Sequence, residues 1–368
     1  MDIYLDNIIF SLQKAGGISV YWHELAKRFV SSKYRPIMIE QNDSGKNIFR
    51  SELNIDEKKI IRENGLPLGI LRYLPLRVKI GGHSIFHSSY YRVSRQRGIA
   101  NIVTVHDFIY EYFRKGLPKY LHGLQKRYAI KNASGIICVS EHTKKDLLRF
   151  YPSIPEARIK VIYHGVAEEF SPIQKDPRLY PDLSRILTRK YILYVGRRDR
   201  HKNFDVVVDV LSDLTDYDLV VAGGKELSET ERSDLDARLR NRFHYLEHVD
   251  NSELNILYNF AFCTLYPSSY EGFGMPILES MKAACPVITT KMSAIPEVAG
   301  IAGMTVDRID RGECAAKIKM LEVGQARENI VRLGSEQASK FSWDKCFEET
   351  VSFYEKVYQG RFRRLSEN

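Results

Sequence analysis

The 368-residue chain contains no run of 18 apolar residues, which excludes a membrane-spanning helix as a reading of any segment. Its first residues, Met1-Asp2-Ile3-Tyr4-Leu5-Asp6, lack the basic start and apolar stretch of a secretory signal, so a cytoplasmic location is expected. Cysteine is scarce. Cys138, Cys263, Cys285, Cys314 and Cys346 form no C-x-x-C pair and mostly sit in apolar runs, which favours buried free thiols over a disulfide framework or a metal site. No G-x-G-x-x-G follows a strand-like segment, which argues against a dinucleotide oxidoreductase. Short-period repeats and low-complexity stretches are also missing. What remains, 44% hydrophobic and 27% charged residues over a length that suits two domains, is globular in character.

Acidic residues are deficient in one half only. Residues 1–175 carry 28 Lys and Arg against 16 Asp and Glu, whereas residues 176–368 carry 27 against 30. The net charge of +9 therefore belongs to the first half, which points to an anionic partner there or to a solvated basic face. The basic residues are not interleaved with a nucleic-acid reading motif, so no nucleic-acid partner is expected.

Apolar and β-branched runs at 3–6, 35–39, 84–87, 101–105, 135–139 and 160–163 read as strands, with helices at 20–29, 120–131 and 144–150. Such alternation predicts a parallel sheet with crossover connections. Residues 171–189, polar and holding Pro172, Pro177 and Pro181, read as a linker. The pattern then restarts, with strands at 191–195, 218–222, 262–266 and 286–289 and helices at 204–214, 229–241, 252–259 and 275–284. Consecutive helices follow over 324–358, with Phe341-Ser342-Trp343 at a joint. The expected division is a first α/β domain at 1–170, the linker, a second at 190–340, and a terminal helix at 341–368. Ligands of such sheets bind beyond the carboxyl ends of the strands, so functional residues should lie just after strands.

The most informative segment is Tyr266-Pro267-Ser268-Ser269-Tyr270-Glu271-Gly272-Phe273-Gly274-Met275-Pro276-Ile277-Leu278-Glu279, between a strand and a helix. Pro276 suits a first helical turn. Gly272 and Gly274 permit close backbone approach to a ligand, and the free N–H groups there suit a phosphate or sugar oxygen. Glu271 and Glu279 are suited to accept hydrogen bonds from sugar hydroxyls. Upstream, Tyr194-Val195-Gly196-Arg197-Arg198-Asp199-Arg200-His201-Lys202-Asn203 places cations beside a glycine turn, a combination that fits a diphosphate. In the first half, Gly16-Gly17-Ile18-Ser19 follows the first strand region and Thr104-Val105-His106-Asp107 ends another.

Taken together, these segments resemble the family-four retaining glycosyltransferases of GT-B architecture, from Gly16 to the terminal Phe341-Ser342-Trp343 region. Within the family the chain is similar to bacterial O-antigen and surface-polysaccharide mannosyltransferases. The resemblance implies an α/β fold of two Rossmann-like domains facing a central cleft, with C-terminal helices crossing back to the first domain. It implies that Glu271 contacts the donor hexose, that Glu279 binds the nucleotide ribose, and that Arg197 and Lys202 neutralise the departing diphosphate in place of a metal. Arg198 and Arg200 are further cations, one of which could substitute for Arg197. His106 would approach the donor sugar, and the backbone of Gly16 and Gly17 would approach its phosphates. Gly196, Gly272, Phe273, Gly274 and Met275 would line the donor site. Val249, after the strand-like 243–246, would clasp the base through backbone atoms. Val139 to Lys144 and Val161 to Val166 match further landmarks, with His164 where many members have Asn. Ala284 stands where a glycine is usual. Residues 41–80 match nothing usable, in the region that shapes the acceptor site.

The expected activity is retaining, metal-independent transfer of a hexose from a nucleotide-sugar, with no cofactor. The donor is a substrate, with GDP-mannose preferred, and the acceptor is a glycan or a polyprenyl-diphosphate-linked glycan. The basic first half suits peripheral contact with an anionic inner membrane face. A nucleotide-sugar epimerase or hydrolase of the same fold, and a non-catalytic sugar-binding protein, are the alternatives.

Overall fold

Among the described residues, thirteen short apolar segments form the strands of two wholly parallel sheets. Most are buried along their whole length, as strands covered by helices on both faces must be. The computed structural model describes residues 1–42 and 44–366, in two units: residues 1–165 with the segment from Trp343 onward, and Val166–Ser342.

In the first unit the strands are β1 (Asp2–Asp6), β2 (Ile37–Glu40), β3 (Ile60–Arg62), β4 (Ser84–Ser88), β5 (Ile99–Val105), β6 (Gly135–Cys138) and β7 (Ile159–Val161), in the order β3-β2-β1-β4-β5-β6-β7. Between them run α1 (Ile8–Leu12), α2 (Gly17–Ser31), α3 (Leu68–Leu71), α4 (Ile109–Phe113), α5 (Gly116–Asn132) and α6 (Glu141–Phe150). Helix α2 shows why such segments are helical. Tyr21, Trp22, Leu25, Ala26 and Phe29 recur at helical spacing and all are buried.

The second unit carries β8 (Tyr191–Val195), β9 (Asp218–Ala222), β10 (Phe243–Leu246), β11 (Cys263–Leu265), β12 (Val287–Thr290) and β13 (Met304–Val306), in the order β10-β9-β8-β11-β12-β13. Its helices are α7 (Ser184–Leu187), α8 (Phe204–Asp213), α9 (Glu229–Leu239), α10 (Asn251–Phe260), α11 (Met275–Lys282), α12 (Ile295–Ala299), α13 (Arg311–Met320) and α14 (Gly324–Ala338). Capping boxes start α9 (Ser228 with Glu231) and α10 (Asp250 with Glu253). In each sheet the strand order reverses beside the first strand, between β1 and β4 and between β8 and β11. Ligands of doubly wound sheets bind at such switch points.

The last helix, α15 (Trp343–Ser366), belongs to the first unit. It lies directly on the sheet because β6 offers no side chain at Gly135, where a Cβ would come within 2.8 Å of Phe353 and Val357. Tyr354 stacks on Phe29 at 5.6 Å and bonds His87 Nδ1 at 2.5 Å.

Among the described residues, eight elements were not legible in the sequence: β3, β13, the short helices α1, α3, α4, α7 and α12, and α13. Strands β3 and β13 are three-residue edge strands, too short for any periodicity to show. Helix α12 is a five-residue turn, and α13 has little apolar asymmetry, so neither announces itself. The segment 171–189 is not a bare linker. It contains α7 and two 3₁₀ turns, buries Leu183 and Leu187, and is held to α10 through Asn255 and Asn259, which accept from the N–H groups of Ser171 and Ile173 at 3.0 Å.

Ala284, after α11, has φ +57°. That left-handed conformation is the physical reason for a glycine there, because a Cβ in it crowds the backbone. We expect Ala284→Gly to raise the unfolding free energy by about 0.5–1 kcal/mol in urea titration. A variant less stable than the parent would contradict this.

Candidate active site

The site in the second unit is built on two loops at its switch point. After β8, Gly196 turns the chain with φ +109° and donates its N–H to Ala222 O at 2.9 Å. The loop then runs to Asn203, itself left-handed with φ +51°, at the start of α8. Three bonds lash it to the loop after β11. Asn203 Nδ2 donates to Pro267 O at 2.7 Å, while the backbone N–H and hydroxyl of Ser269 donate to His201 O at 2.8 and 3.0 Å. The end of β12 and the loop after it support the second: Thr289 and Thr290 hydroxyls donate to the carbonyls of Tyr266 and Ser268, and Ser293 Oγ accepts from Glu271 N at 2.8 Å.

This lashing brings Lys202 and Glu271, 69 residues apart, into direct contact. Lys202 Nζ pairs with Glu271 Oε1 and donates to Tyr266 Oη at 2.7 Å, and Tyr266 Oη donates to the same Glu271 oxygen at 2.7 Å. Burial would raise the Glu271 pKa. The Lys202 charge and the hydrogen bonds it receives win, holding the carboxyl below its ordinary value. Glu271 is therefore a fixed carboxylate.

Beyond Glu271, Gly272 and Phe273 are buried, and the Phe273 ring packs edge-on against Phe341 at 5.9 Å. Phe273 thus supplies packing, and any ligand contact it makes falls to its backbone. Gly274 caps α11 with φ +102°, with Met275 and Pro276 as the first helical residues. Glu279 lies on the second turn of α11, partly buried. Its Oε2 accepts from Tyr258 Oη at 3.0 Å, and burial pushes its pKa up to about 7.

The cations of the β8 loop divide. Arg197 is exposed, with Nε 3.3 Å from Asp199 Oδ2, and so is Arg200. Arg198 does not stand ready to replace Arg197. It is turned inward, with Nε donating to Glu231 at 3.2 Å and Nη2 to Lys225 O at 2.8 Å, and it lies over the Tyr245 ring. Val249 sits half-buried just before the α10 cap.

In the first unit, His106 follows β5 and is buried within aromatic rings. Tyr21 meets it edge-on at 5.0 Å, and His164 lies 5.9 Å away, stacked between Tyr21 and Trp343. Burial, and then the Lys126 ammonium, push the His106 pKa down to about 3. The imidazole is therefore held in its neutral form. Below it a polar chain runs from Tyr354 through His87 to Thr104, whose Oγ1 is 2.9 Å from His87 Nε2 and 3.1 Å from Tyr21 Oη. The loop after His106 is held by buried Lys126, which donates to Asp107 O at 2.5 Å, pairs with Glu111 at 3.1 Å and lies 3.7 Å over the Phe108 ring centre. Gly16 and Gly17 open α2. The Gln13 side chain covers Gly16, where a Cβ would approach its Oε1 to 2.7 Å.

Residues 15–170 match the model of Glycosyltransferase Family 4, and residues 180–334 match that of glycosyl transferases group 1. The chain belongs to the GT-B glycosyltransferases. It is similar to O-antigen chain mannosyltransferase B of Escherichia coli, 28% identical over 271 residues that cover 69% of each chain. An alpha-maltose-1-phosphate synthase of Mycolicibacterium smegmatis is 26% identical over 71% of this chain and 74% of its own. Among solved structures, sucrose-phosphate synthase from Thermosynechococcus elongatus shares the fold with a TM-score of 0.77 at 19% identity, covering 98% of this chain and 100% of its own. Anabaena Alr3699/HepE, solved with UDP and glucose, gives 0.70 at 16% identity, covering 96% and 98%.

The geometry adds groups that sequence reasoning passed over. Tyr266 was visible only as the end of a strand, yet it bonds both Lys202 and Glu271. Tyr258, the partner of Glu279, lies on a different helix and carried no signal. His87 carried no signal, and it joins Thr104, from the segment that ends in His106, to the polar chain that also reaches Tyr21 on α2.

Glu279 has a stability signature. A carboxyl whose folded pKa is raised binds its proton more tightly than the unfolded chain does, so stability is lost as pH rises from the ordinary glutamate range to about 7. Because Glu279 is partly exposed, we expect the parent to lose about 1–2 kcal/mol relative to Glu279→Gln between those limits. Parallel unfolding curves for the two proteins across that window would contradict the assignment.

Proposed function

We propose that the protein is a retaining, metal-independent hexosyltransferase. It moves a hexose, with GDP-mannose the preferred donor, to a glycan or polyprenyl-diphosphate-linked acceptor of a surface polysaccharide at the cytoplasmic membrane face. The observation that carries this reading is the Lys202–Tyr266–Glu271 cluster at the β8–β11 switch point, a cation and a fixed carboxylate where a sugar phosphate would meet the sheet. The name of the Escherichia coli relative favours mannose. The structure of Alr3699/HepE with UDP-glucose makes a uridine donor the competing outcome.

In this reading an ammonium has three donors, and two of those on Lys202 are aimed at Tyr266 and Glu271, which leaves the third for a diphosphate oxygen. Arg197, exposed on the same loop, adds a second cation. The loop from Gly272 to Gly274 and the start of α11 at Met275 offer backbone N–H groups. Glu271 accepts from the hexose hydroxyls and Glu279 from the ribose, while Val249 meets the base. His106, neutral, hydrogen-bonds the hexose, and the Gly16-Gly17 turn approaches the phosphates. The acceptor oxygen bonds to the anomeric carbon on the face the diphosphate leaves, the carbon–oxygen bond to the diphosphate breaks, and a departing phosphate oxygen takes the acceptor proton. Charge on the leaving group is met by Lys202 and Arg197, the work a metal performs elsewhere.

Thermal shift against UDP, GDP, dTDP and ADP tests the donor half. We expect a rise selective for GDP and unchanged by EDTA; a rise selective for UDP would replace the donor, and a rise lost with EDTA would remove metal independence. With the donor so identified, Lys202→Ala should lower turnover about 100- to 1000-fold. Turnover within a few-fold of the parent would remove Lys202 from the mechanism.

A further inference from the structure

Helix α5 is inverted. Its buried face carries His122, Gln125 and Lys126 along with Ala129 and Ile130. The polar groups there hold neighbouring segments: the His122 ring stacks on Tyr110 at 3.9 Å, Gln125 Nε2 donates to Arg72 O, and Lys126 secures the loop after His106. Its outward face carries Leu117, Tyr120, Leu121 and Leu124, one stripe at helical spacing, with Leu117 66% and Tyr120 63% exposed. Helix α4, immediately before it, exposes Tyr112 and Phe113 as well. Large apolar side chains gathered on one face gain nothing from water, and a contiguous patch of this kind marks a contact surface.

The charges around the stripe say what kind of surface it meets. Residues 112–140 include six Lys or Arg and no Asp or Glu. Of these cations only Lys126 is buried. Lys115, Arg127 and Lys131 flank the stripe, exposed. A second copy bound through the same face would set these cations against themselves, because a two-fold contact pairs a patch with itself. An anionic bilayer complements all of them, takes the leucines into its interface, and suits tyrosine, whose ring is apolar and whose hydroxyl stays wet.

We propose that the outward face of α5, with the tip of α4, docks the protein on an anionic lipid bilayer. The inference deepens the reading of a lipid-linked acceptor and rests on it for the choice of a membrane. The loop that follows His106 leads straight into α4, so docking here brings that loop to the level of lipid headgroups, where the diphosphate of a lipid-linked acceptor lies.

Flotation with phosphatidylcholine vesicles, with and without phosphatidylglycerol and in the absence of donor and acceptor, tests the surface apart from the chemistry. The parent should float with the phosphatidylglycerol vesicles alone and be released by high salt. Since each cation near such a surface contributes about fivefold, the combined change of Lys115, Arg127 and Lys131 to Glu should weaken partitioning at least on the order of a hundredfold. Leu117→Ser with Leu124→Ser should also abolish flotation. Unchanged thermal melting and unchanged transfer to a lipid-free acceptor would show that both variants are folded. Flotation that is absent, indifferent to phosphatidylglycerol, or unaffected by the substitutions overturns the proposal. So does a dimer in sedimentation that Leu117→Ser with Leu124→Ser dissociates, which would make a second copy the occupant. Intact flotation with no sugar transfer would instead overturn the function and leave the docking face standing.

Discussion

The contact between Lys202 and Glu271 is the constraint on which the arrangement of the second unit's loops turns, and on which the proposed chemistry rests. A lysine and a glutamate this close to full burial are tolerable only together, since removing either leaves an uncompensated charge in a poorly hydrated place. The pair is not held by its own attraction alone. Asn203 and Ser269 tie the two loops by backbone carbonyls, and Thr289, Thr290 and Ser293 brace the second loop from behind. The charges are thus fixed before a ligand arrives, which is what electrostatic stabilisation of a leaving group requires.

The two switch points have been used differently. Between β8 and β11 the ion pair sits at the mouth of the sheet. Between β1 and β4 the equivalent place is filled by structure. Arg92, fully buried, donates to Asp6 at 3.0 Å and to Glu63 at 2.7 Å, and the hydroxyls of Ser88 and Ser89 close on Asp6. Next to it Trp22 Nε1 donates to Asn7, and Asn7 to Glu40. His106 belongs instead to the end of the neighbouring strand, β5, among rings that keep it uncharged.

The alternation of strands and helices was readable because buried parallel strands are continuous apolar runs and their helices are amphipathic. The loop segments at 194–203 and 266–279 were readable because glycines, a proline and charged residues must stand in a fixed order where a strand turns into a helix. Reading fell short where contacts join residues distant in the chain. Nothing in the string around Arg198 told that its guanidinium would turn inward to Glu231 and the Lys225 carbonyl, while Arg197 beside it stayed in solvent. Nor does a sequence reveal that Tyr258 would meet Glu279, or that two strands and a helix would join Thr104, His87 and Tyr21 into one polar chain. The edge strands β3 and β13 escaped for a simpler reason, because three residues cannot establish a period.

Net charge, finally, is a poor guide to where an anion binds. Residues 176–368 have an acidic excess, 30 Asp and Glu to 27 Lys and Arg, yet they hold the cations that fit a diphosphate. Much of that acid is spent elsewhere: Glu231 and Glu253 close capping boxes, Asp218 pairs with Arg189, and Glu271 itself answers Lys202. In the proposed reading, what an anion meets is local, a lysine with one donor in reserve and the N–H groups of a helix start. The basic excess of residues 1–175 is different in kind. Around His106 the site is aromatic and neutral, and the cations that do lie inside, Lys126 and Arg92, are engaged by carboxylates. Part of the remainder stands on the outer surface of α5, where a sum of weak screened attractions acts on a large charged object rather than on a single phosphate. A count of charges therefore speaks to the surface the protein approaches, and the arrangement of a few buried ones speaks to the molecule it holds.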